Sequence, residues 1–318
     1  MSKKRVMQLV RGLHNLRPQH RGCVATIGNF DGVHRGHQAI LARLRERALE
    51  LGVPSCVVIF EPQPRECFDP ATAPARLARL RDKLQLLAAE GIDRVLCLAF
   101  NRRLSKLSAA AFVETILVDG LGVKHLEVGD DFRFGCDRVG DFNYLQQAGI
   151  AQGFTVEAAQ TVEIDGLRVS STQVRNALAA ADFELAERLL GRPYRIAGRI
   201  LHGQKLARQL GTPTANVQLK RRRVPLTGVF LVSVEIDGKT WPGVANIGVR
   251  PTVQGDGKAH LEVHVLDFAG DLYDRRLTVV FHHKLREEQR FASLEALKTA
   301  IHADIAAARA LVATSANR

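Results

Sequence analysis

The pattern of hydrophobic positions changes near residue 190. Before that point, short apolar runs typical of buried strands alternate with segments whose apolar residues recur at helical spacing. The first pair is "CVATIGNF" and "HQAILARLRERALELG". The same alternation continues through "SCVVIF" and "PARLARLRDKLQLLAAEG", "RVLCLAF" and "SAAAFVETILVDGLG", "HLEVG" and "DFNYLQQAGIAQG", and "TVEAAQTVEI" and the helix from "SSTQVRNALAAAD". Five β–α alternations predict an α/β domain, a parallel sheet covered by helices on both faces.

After "LLGRPYRIAGRI", strand follows strand. The runs are "YRIAGRIL", "GVFLVSVEIDGKTWPGVANIG", "LEVHVLDF" and "RRLTVVFHHKL". An Asp-Gly pair in "EIDGKTW" predicts a hairpin. The last segment, "SLEALKTAIHADIAAARALV", is helical in pattern. We therefore predict a small antiparallel Greek-key-type barrel closed by a C-terminal helix. The boundary is expected near Gly191 to Pro193, with domains at 1–188 and 189–318.

Composition agrees with two ordinary globular domains. The chain has 318 residues, 46% of them hydrophobic and 25% charged. Charged or polar residues interrupt the early apolar positions where a leader would need a continuous run, and later runs fall short of the roughly 20 residues of a membrane span. We expect a cytoplasmic protein without a membrane partner. The five cysteines form an odd set without CxxC spacing, which favours buried free thiols over a metal or redox site.

A net charge of +12 indicates a negatively charged partner, either phosphorylated small molecules or nucleic acid. The densest basic run, "KRRR" at residues 220–223, lacks aromatic neighbours. This favours a solvated loop over a nucleic-acid patch. Charge alone does not choose between the two partners.

The stretch "IGNFDGVHRGHQAIL" lies where the first strand turns into the first helix. Ligands bind outside the carboxyl ends of parallel strands, and a helix N-terminus offers unpaired N–H groups. Glycines let the backbone approach a bulky anion, while His34 and His37 supply donors for phosphate oxygens. A tight turn without a ligand explains H-x-G-H alone equally well.

A second stretch, "GLRVSSTQVR", also begins a helix after a strand. Ser170, Ser171 and Thr172 can cap this helix and bind phosphate, and Arg175 can contact a leaving pyrophosphate. Alone, the motif is typical of a helix cap. Together, the two stretches resemble the H-x-G-H and I-S-S-T-x-x-R motifs of the nucleotidylyltransferase superfamily. The resemblance implies a Rossmann-like domain in which fixed donors stabilise attack on the α-phosphate of ATP, without a side-chain nucleophile.

A third stretch, "VGDDFRFGCDRVGD", narrows the family. It resembles the G-x-D/N-F-x-F-G segment of bacterial bifunctional riboflavin kinase/FAD synthetases, although Phe132 and Phe134 alone would more often be core residues. In "FEPQP", Gln63 stands where that family frequently has histidine, so a role for the imidazole does not carry over.

The resemblance continues through the barrel. "GRILHGQKLARQLGTPTANVQL" is similar to the riboflavin kinase nucleotide loop; its lysine is displaced from the P-loop position, so it is not a Walker A motif. The resemblance implies Thr214 and Asn216 as Mg²⁺ ligands. It also implies Glu262 as the base for the riboflavin 5′-hydroxyl. "GVANIGVRPT" and "REEQRFASL" resemble segments around the ATP and flavin sites, and Asp274 replaces a glycine frequent in the family.

The expected function is therefore bifunctional: ATP phosphorylates riboflavin to FMN, and a second ATP adenylylates FMN to FAD, with Mg²⁺ in both steps. The expected catalytic residues are His34, His37, Ser171, Thr172, Arg175 and Glu262. The expected substrate-binding residues are Gly28, Asn29, Phe30, Asp31, Gly36, Asp131, Phe132, Gly203, Lys205, Arg208, Gly211, Asn246 and Arg290.

Two alternatives remain open at this point. One is an RNA-binding or tRNA-related protein with H-x-G-H and a basic barrel, but a K-M-S-K-S-like loop and a stripe of aromatics on the barrel strands are both missing. The other is an adenylyltransferase acting on a different phosphate or amide precursor, which leaves the P-T-A-N barrel unexplained. We expect no nucleic-acid partner; the oligomeric state is open.

Overall fold

The computed structural model describes residues 6–201, 213–221, 223–250 and 258–316. The chain forms two compact units. Unit 1 comprises Met1–Pro74 and Leu80–Val169, and unit 2 comprises Ala75–Arg79 and Ser170–Arg318. The division into domains 1–188 and 189–318 stays a prediction.

Unit 1 is built on a six-stranded parallel sheet of order β1-β4-β3-β2-β5-β6. Its strands are β1 (Gln8–Arg11), β2 (Cys23–Ile27), β3 (Ser55–Glu61), β4 (Arg94–Ala99), β5 (Val123–Val128) and β6 (Thr155–Ala158), and a separate hairpin pairs β7 (Glu163–Ile164) with β8 (Leu167–Arg168). Its helices are α1 (Arg35–Glu50), α2 (Pro64–Phe68), α3 (Leu80–Ala89), α4 (Arg102–Ser105), α5 (Ala109–Phe112), which continues as a π-helical segment (Val113–Gly120), and α6 (Phe142–Gln152). The predicted α/β class is confirmed.

The four central strands of the sheet in unit 1, β2 to β5, are buried on both faces, since alternate side chains of each strand point to opposite sides. On β2, Val24 packs with Leu41 and Leu44 of α1. Its neighbour Ala25 packs in a second cluster with Ile116 and Leu117 of the π-helical segment. This double burial explains why the strands have continuous apolar runs.

Unit 2 contains a closed antiparallel barrel of order β10-β13-β12-β11-β14-β9. Its strands are β9 (Arg195–Leu201), β10 (Ala215–Val217), β11 (Gly228–Ile236), β12 (Lys239–Arg250), β13 (Lys258–Val265) and β14 (Arg276–Arg286), and its helices are α7 (Ser171–Ala179), α8 (Phe183–Leu190) and α9 (Leu294–Ala316). The barrel and the C-terminal helix are confirmed. The predicted hairpin is present: Asp237 (φ 48°) and Gly238 (φ 80°) form the turn, with the positive φ angles of a type I′ turn.

The outer face of the barrel is apolar where α9 covers it. Val229, Leu231 and Val244 form a cluster with Ala308 of α9. Farther along β12 the outward side chain is polar, at Asn246. The outer face of the barrel therefore changes from apolar under α9 to polar at Asn246.

One local expectation is wrong, and two others hold only in part. "PARLARLRDKLQLLAAEG" is helical only from Leu80, since carbonyls before it accept side-chain hydrogen bonds instead of helical ones: Arg175 Nε donates to Ala75 at 2.6 Å and Arg221 Nη1 to Arg76 at 3.0 Å. Arg221 is buried, and its Nη1 also donates to the Tyr194 hydroxyl at 3.2 Å. The basic run at residues 220–223 is therefore not wholly a solvated loop.

The prediction for the cysteines holds in part, because all five are free thiols but only three are buried. Cys23, Cys56 and Cys97 lie in strands and are buried, Cys136 is half-buried, and Cys67 is exposed on the short helix α2. Among the described helices, none combines the length and apolar character that crossing a membrane requires.

Candidate functional site

The turn between β2 and α1 has a strained backbone. Gly28 extends the strand ladder through its N–H bond to Val58 at 3.1 Å. Two non-glycine residues then adopt left-handed conformations, Phe30 at φ 45° and Val33 at φ 42°. Such conformations cost about 1–3 kcal/mol each and cluster at ligand-binding sites.

His34 and His37 lie together at the N-terminus of α1. His34 is the N-cap residue: its Nδ1 accepts the backbone N–H of His37 at 3.3 Å. The two imidazole rings stack with their centroids 3.7 Å apart. Because Nδ1 of His34 is an acceptor, the neutral ring carries its proton on Nε2, and this is the tautomer that can donate to a phosphate oxygen.

The neighbouring predicted residues have different environments. Phe30 is 2% exposed and its ring lies 4.8 Å from that of His37, so it supports the histidine from the core side. Asp31 is buried, whereas Asn29 is exposed. Gly36 is half-buried, and a Cβ there would lie 3.3 Å from both the His34 ring and the Val169 carbonyl oxygen. A side chain at this position would therefore crowd the histidine pair.

The second motif forms the start of α7 in unit 2. Ser170 is the N-cap residue, and its Oγ accepts the backbone N–H of Gln173 at 3.2 Å. This leaves the next two hydroxyl side chains inside the first turn, where Ser171 is half-buried and Thr172 is exposed. Arg175 bonds to the Ala75 carbonyl within the same unit. That this motif shares a phosphate site with His34 and His37 stays a prediction.

The segment after β5 carries the predicted flavin contacts. Asp131 is exposed, and its carboxylate lies 3.9 Å from Arg168 Nη2. Phe132 is half-buried and stacks on Phe134 at 5.7 Å, while Phe134 contacts Phe112 of α5. Phe134 is thus a core residue, and Phe132 covers it at the border with solvent.

In the barrel, three polar residues form one row across neighbouring strands. Glu262 of β13 is directly paired with Asn216 of β10 on one side and with Asn246 of β12 on the other. Residues directly opposite each other in an antiparallel sheet share a face, with Cβ atoms about 5 Å apart. Their strand neighbours Ala215, Ala245, Leu261 and Val263 are buried, so the row faces outward.

The row Asn216–Glu262–Asn246, called the carboxylate–amide row below, contains one amide oxygen that is available to a ligand. Asn246 Oδ1 is buried and has no hydrogen-bond partner among the described residues. Thr214, two positions before Asn216 and half-buried, precedes β10. Arg290 is exposed after β14. The predicted residues Gly203, Lys205, Arg208 and Gly211 lie outside the described residues.

A buried charge cluster was not anticipated from the sequence. Glu127 of β5 is 2% exposed, and its Oε1 lies 3.6 Å from Arg43 Nε of α1. Arg43 also bonds to Glu157 of β6 at 3.1 Å. Burial raises the pKa of Glu127 to about 7, against the effect of Arg43. The glutamate in "HLEVG" could have indicated this cluster, since strands covered on both faces rarely carry a carboxylate.

Comparisons with known proteins match each part of the chain separately. A family model described as FAD synthetase matches residues 16–173. A second model, described as riboflavin kinase, matches residues 190–312. The first span includes the β2–α1 turn with His34 and His37, called the histidine turn below, and the start of α7. The second span includes the barrel.

Similar proteins cover almost the whole chain. A bifunctional riboflavin kinase/FMN adenylyltransferase of Pseudomonas fluorescens is 86% identical, covering 98% of this chain and 100% of its own. The protein of that description from Escherichia coli K12 is 53% identical over 95% of this chain and 97% of its own. A solved structure from Streptococcus pneumoniae, described as a macrolide-efflux protein, has a TM-score of 0.77 and 27% identity, covering 96% of this chain and 99% of that one.

Proposed function

The chain belongs to the family of bifunctional riboflavin kinase/FMN adenylyltransferases, and we propose that the histidine turn and the carboxylate–amide row carry its two reactions. The enzyme phosphorylates riboflavin with ATP to FMN and adenylylates FMN with ATP to FAD and pyrophosphate. The comparisons give no support to an RNA-binding protein. A cytoplasmic location and the domain boundary at residue 188 remain part of the proposal.

For adenylyl transfer, we assign phosphate binding to the β2–α1 turn. The FMN phosphate attacks the α-phosphorus of ATP, and pyrophosphate leaves. Negative charge develops on the non-bridging oxygens, and donors fixed in advance stabilise it without reorganising. His34 and His37 are held in this way by the N-cap bond and by ring stacking. Ser171, Thr172 and Arg175 are proposed to bind the transition state and the leaving group.

For phosphoryl transfer, Glu262 is proposed to accept the proton of the riboflavin 5′-hydroxyl as that oxygen attacks the γ-phosphorus. The observation that carries the assignment is the outward row Asn216–Glu262–Asn246. The row places the Glu262 carboxylate between two neutral amide side chains on the outward face of β13. A carboxylate in such a position is suited to a base.

The donors beside Glu262 also fit a divalent cation. Thr214 offers a hydroxyl oxygen and Asn216 an amide oxygen, and both are hard donors of the type that Mg²⁺ takes together with substrate phosphates. Asn246 Oδ1, buried without a partner among the described residues, is a further oxygen at this row. We propose that Thr214 and Asn216 hold Mg²⁺. When bound, the ion would neutralise charge on the ATP phosphates.

The direct test is incubation of the purified chain with riboflavin, ATP and Mg²⁺, followed by chromatographic separation of the flavins. We expect FMN to appear first and FAD to follow, and both to be lost when a chelator removes the cation. FMN without FAD would refute the adenylyl site, and FAD formation from added FMN without riboflavin phosphorylation would refute the kinase site. Full activity in excess chelator would refute the proposed cation.

A further inference from the structure

A second acidic side chain lies on the same barrel face as Glu262. Gly248 of β12 is paired with His260 of β13, two positions from the pair of Asn246 with Glu262. Because side chains two apart on a strand share a face, His260 and Glu262 are neighbours about 7 Å apart along β13. Any group held at His260 is therefore next to the proposed base.

The group held at His260 is Glu288. Its Oε1 lies 3.5 Å from His260 Nε2. A Cβ built on Gly248 would overlap the Glu288 carboxylate, so the carboxylate lies directly over the glycine backbone. Glu288 follows β14, in the segment "REEQR" that ends at Arg290.

A glycine inside a strand needs a physical reason. It weakens the strand by roughly 0.5–1 kcal/mol relative to alanine, and it often marks a place where another group approaches the backbone closely. Gly248 is in the interior of the 12-residue strand β12. The close approach of Glu288 supplies the reason, since a side chain at position 248 would force the carboxylate to shift.

We infer that Glu288 is a positioning residue for riboflavin phosphorylation: it lies over Gly248 and pairs with His260, and it thereby holds the segment 288–290 against β13, the strand that carries Glu262. The inference rests on the proposed kinase site. A fixed segment keeps Arg290 and its neighbours ready for the flavin substrate, so binding does not have to order them. Loss of the contacts of Glu288 with His260 and Gly248 should therefore weaken riboflavin binding more than it slows the chemical step.

The experiment measures steady-state FMN formation by Gly248→Ala, Glu288→Ala and the double variant. Each single variant should raise the KM for riboflavin on the order of tenfold. The double variant should show the same tenfold rise and not its square, because an added methyl does no harm once the carboxylate is gone. The matched control is Glu287→Ala: Glu287 bonds to Lys284 at 2.6 Å and its side chain is 77% exposed, so the KM for riboflavin should stay unchanged.

The KM separates positioning from simple loss of folded protein, since a smaller folded fraction lowers the apparent kcat and leaves the KM unchanged. An unchanged KM in Glu288→Ala, a multiplicative effect in the double variant, or an equal effect in Glu287→Ala would each overturn the inference. Wild-type protein that forms no FMN would instead refute the proposed function. FAD formation from added FMN should remain at the wild-type rate in all variants.

Discussion

Nδ1 of His34 accepts the backbone N–H of His37 at 3.3 Å, and the two rings stack at an interplanar angle of 19°. His34 therefore has two tasks. It caps helix α1, and it presents an imidazole next to that of His37. Because the cap needs only an acceptor atom while phosphate binding needs a ring donor, the tasks can be separated by substitution.

We predict that His34→Asn keeps the stability of the protein but loses adenylyl transfer. Asparagine is among the preferred N-cap residues, whereas His34→Ala should lower the free energy of unfolding by about 1 kcal/mol. Both variants should slow FAD formation from FMN on the order of 10²-fold, since each lacks the imidazole N–H that would donate to phosphate. Denaturant unfolding and FAD chromatography measure the two effects. Full adenylyl transfer in His34→Asn would limit His34 to a structural role.

Each of the two activities should be lost on substitution of a different residue. His37→Ala should slow FAD formation on the order of 10²-fold and leave FMN formation at the wild-type rate. Its backbone N–H still donates to His34, so the cap remains.

Glu262→Gln keeps the shape of the side chain and removes the base, so FMN formation should fall on the order of 10²-fold or more while FAD formation from FMN continues. Equal losses of both activities in either variant would contradict separate sites.

The motif-bearing parts of this fold could be predicted from the sequence because their signals are local. Strand runs, the Asp237–Gly238 turn and the helix after the H-x-G-H residues depend on neighbouring residues. The three-residue strand β10 was not predicted because its "ANV" run is too short to show a period. The edge strand β1, with only Val10 buried, was also missed.

What the sequence could not give was the pairing of distant residues. Asn216, Glu262 and Asn246 become neighbours only through the strand register, and nothing in their spacing along the chain indicates it. The helix predicted from Pro74 failed for a similar reason. Its first residues have helical propensity, but arginines about a hundred or more positions away take the carbonyl oxygens of this segment.

A buried ion pair attaches helix α9 to the barrel. Arg286 of β14 donates from Nε and Nη2 to the two carboxylate oxygens of Asp304 at 2.9 and 2.8 Å. We predict that Asp304→Asn lowers the free energy of unfolding by about 2–3 kcal/mol, because it leaves a partly buried guanidinium without its counter-charge. The matched control is Asp267→Asn, which breaks the exposed pair of Asp267 with Arg309 on the same helix. It should cost less than about 1 kcal/mol. Equal losses in chemical denaturation would contradict the prediction.

The buried carboxylate of Glu127 should make stability depend on pH. Burial raises its pKa from 4.5 to about 7 in the folded protein, while Arg43 acts in the opposite direction. Between these two values the folded state binds more protons than the unfolded state, so the free energy of unfolding decreases as pH rises from about 4.5 to about 7 and then levels off. Removing the titrating group should remove this contribution.

We therefore predict that Glu127→Gln is more stable than the wild type at pH 8, by no more than about 3 kcal/mol, and equal to it near pH 4. The measurement is the difference in unfolding free energy between the two proteins across this range, in which other titrating groups cancel. Glu157→Gln offers a second check. Because the Glu157 charge also raises the pKa of Glu127, its loss should move the upper end of the window to lower pH. A difference between wild type and Glu127→Gln that stays constant with pH would show that folding does not raise the pKa of Glu127.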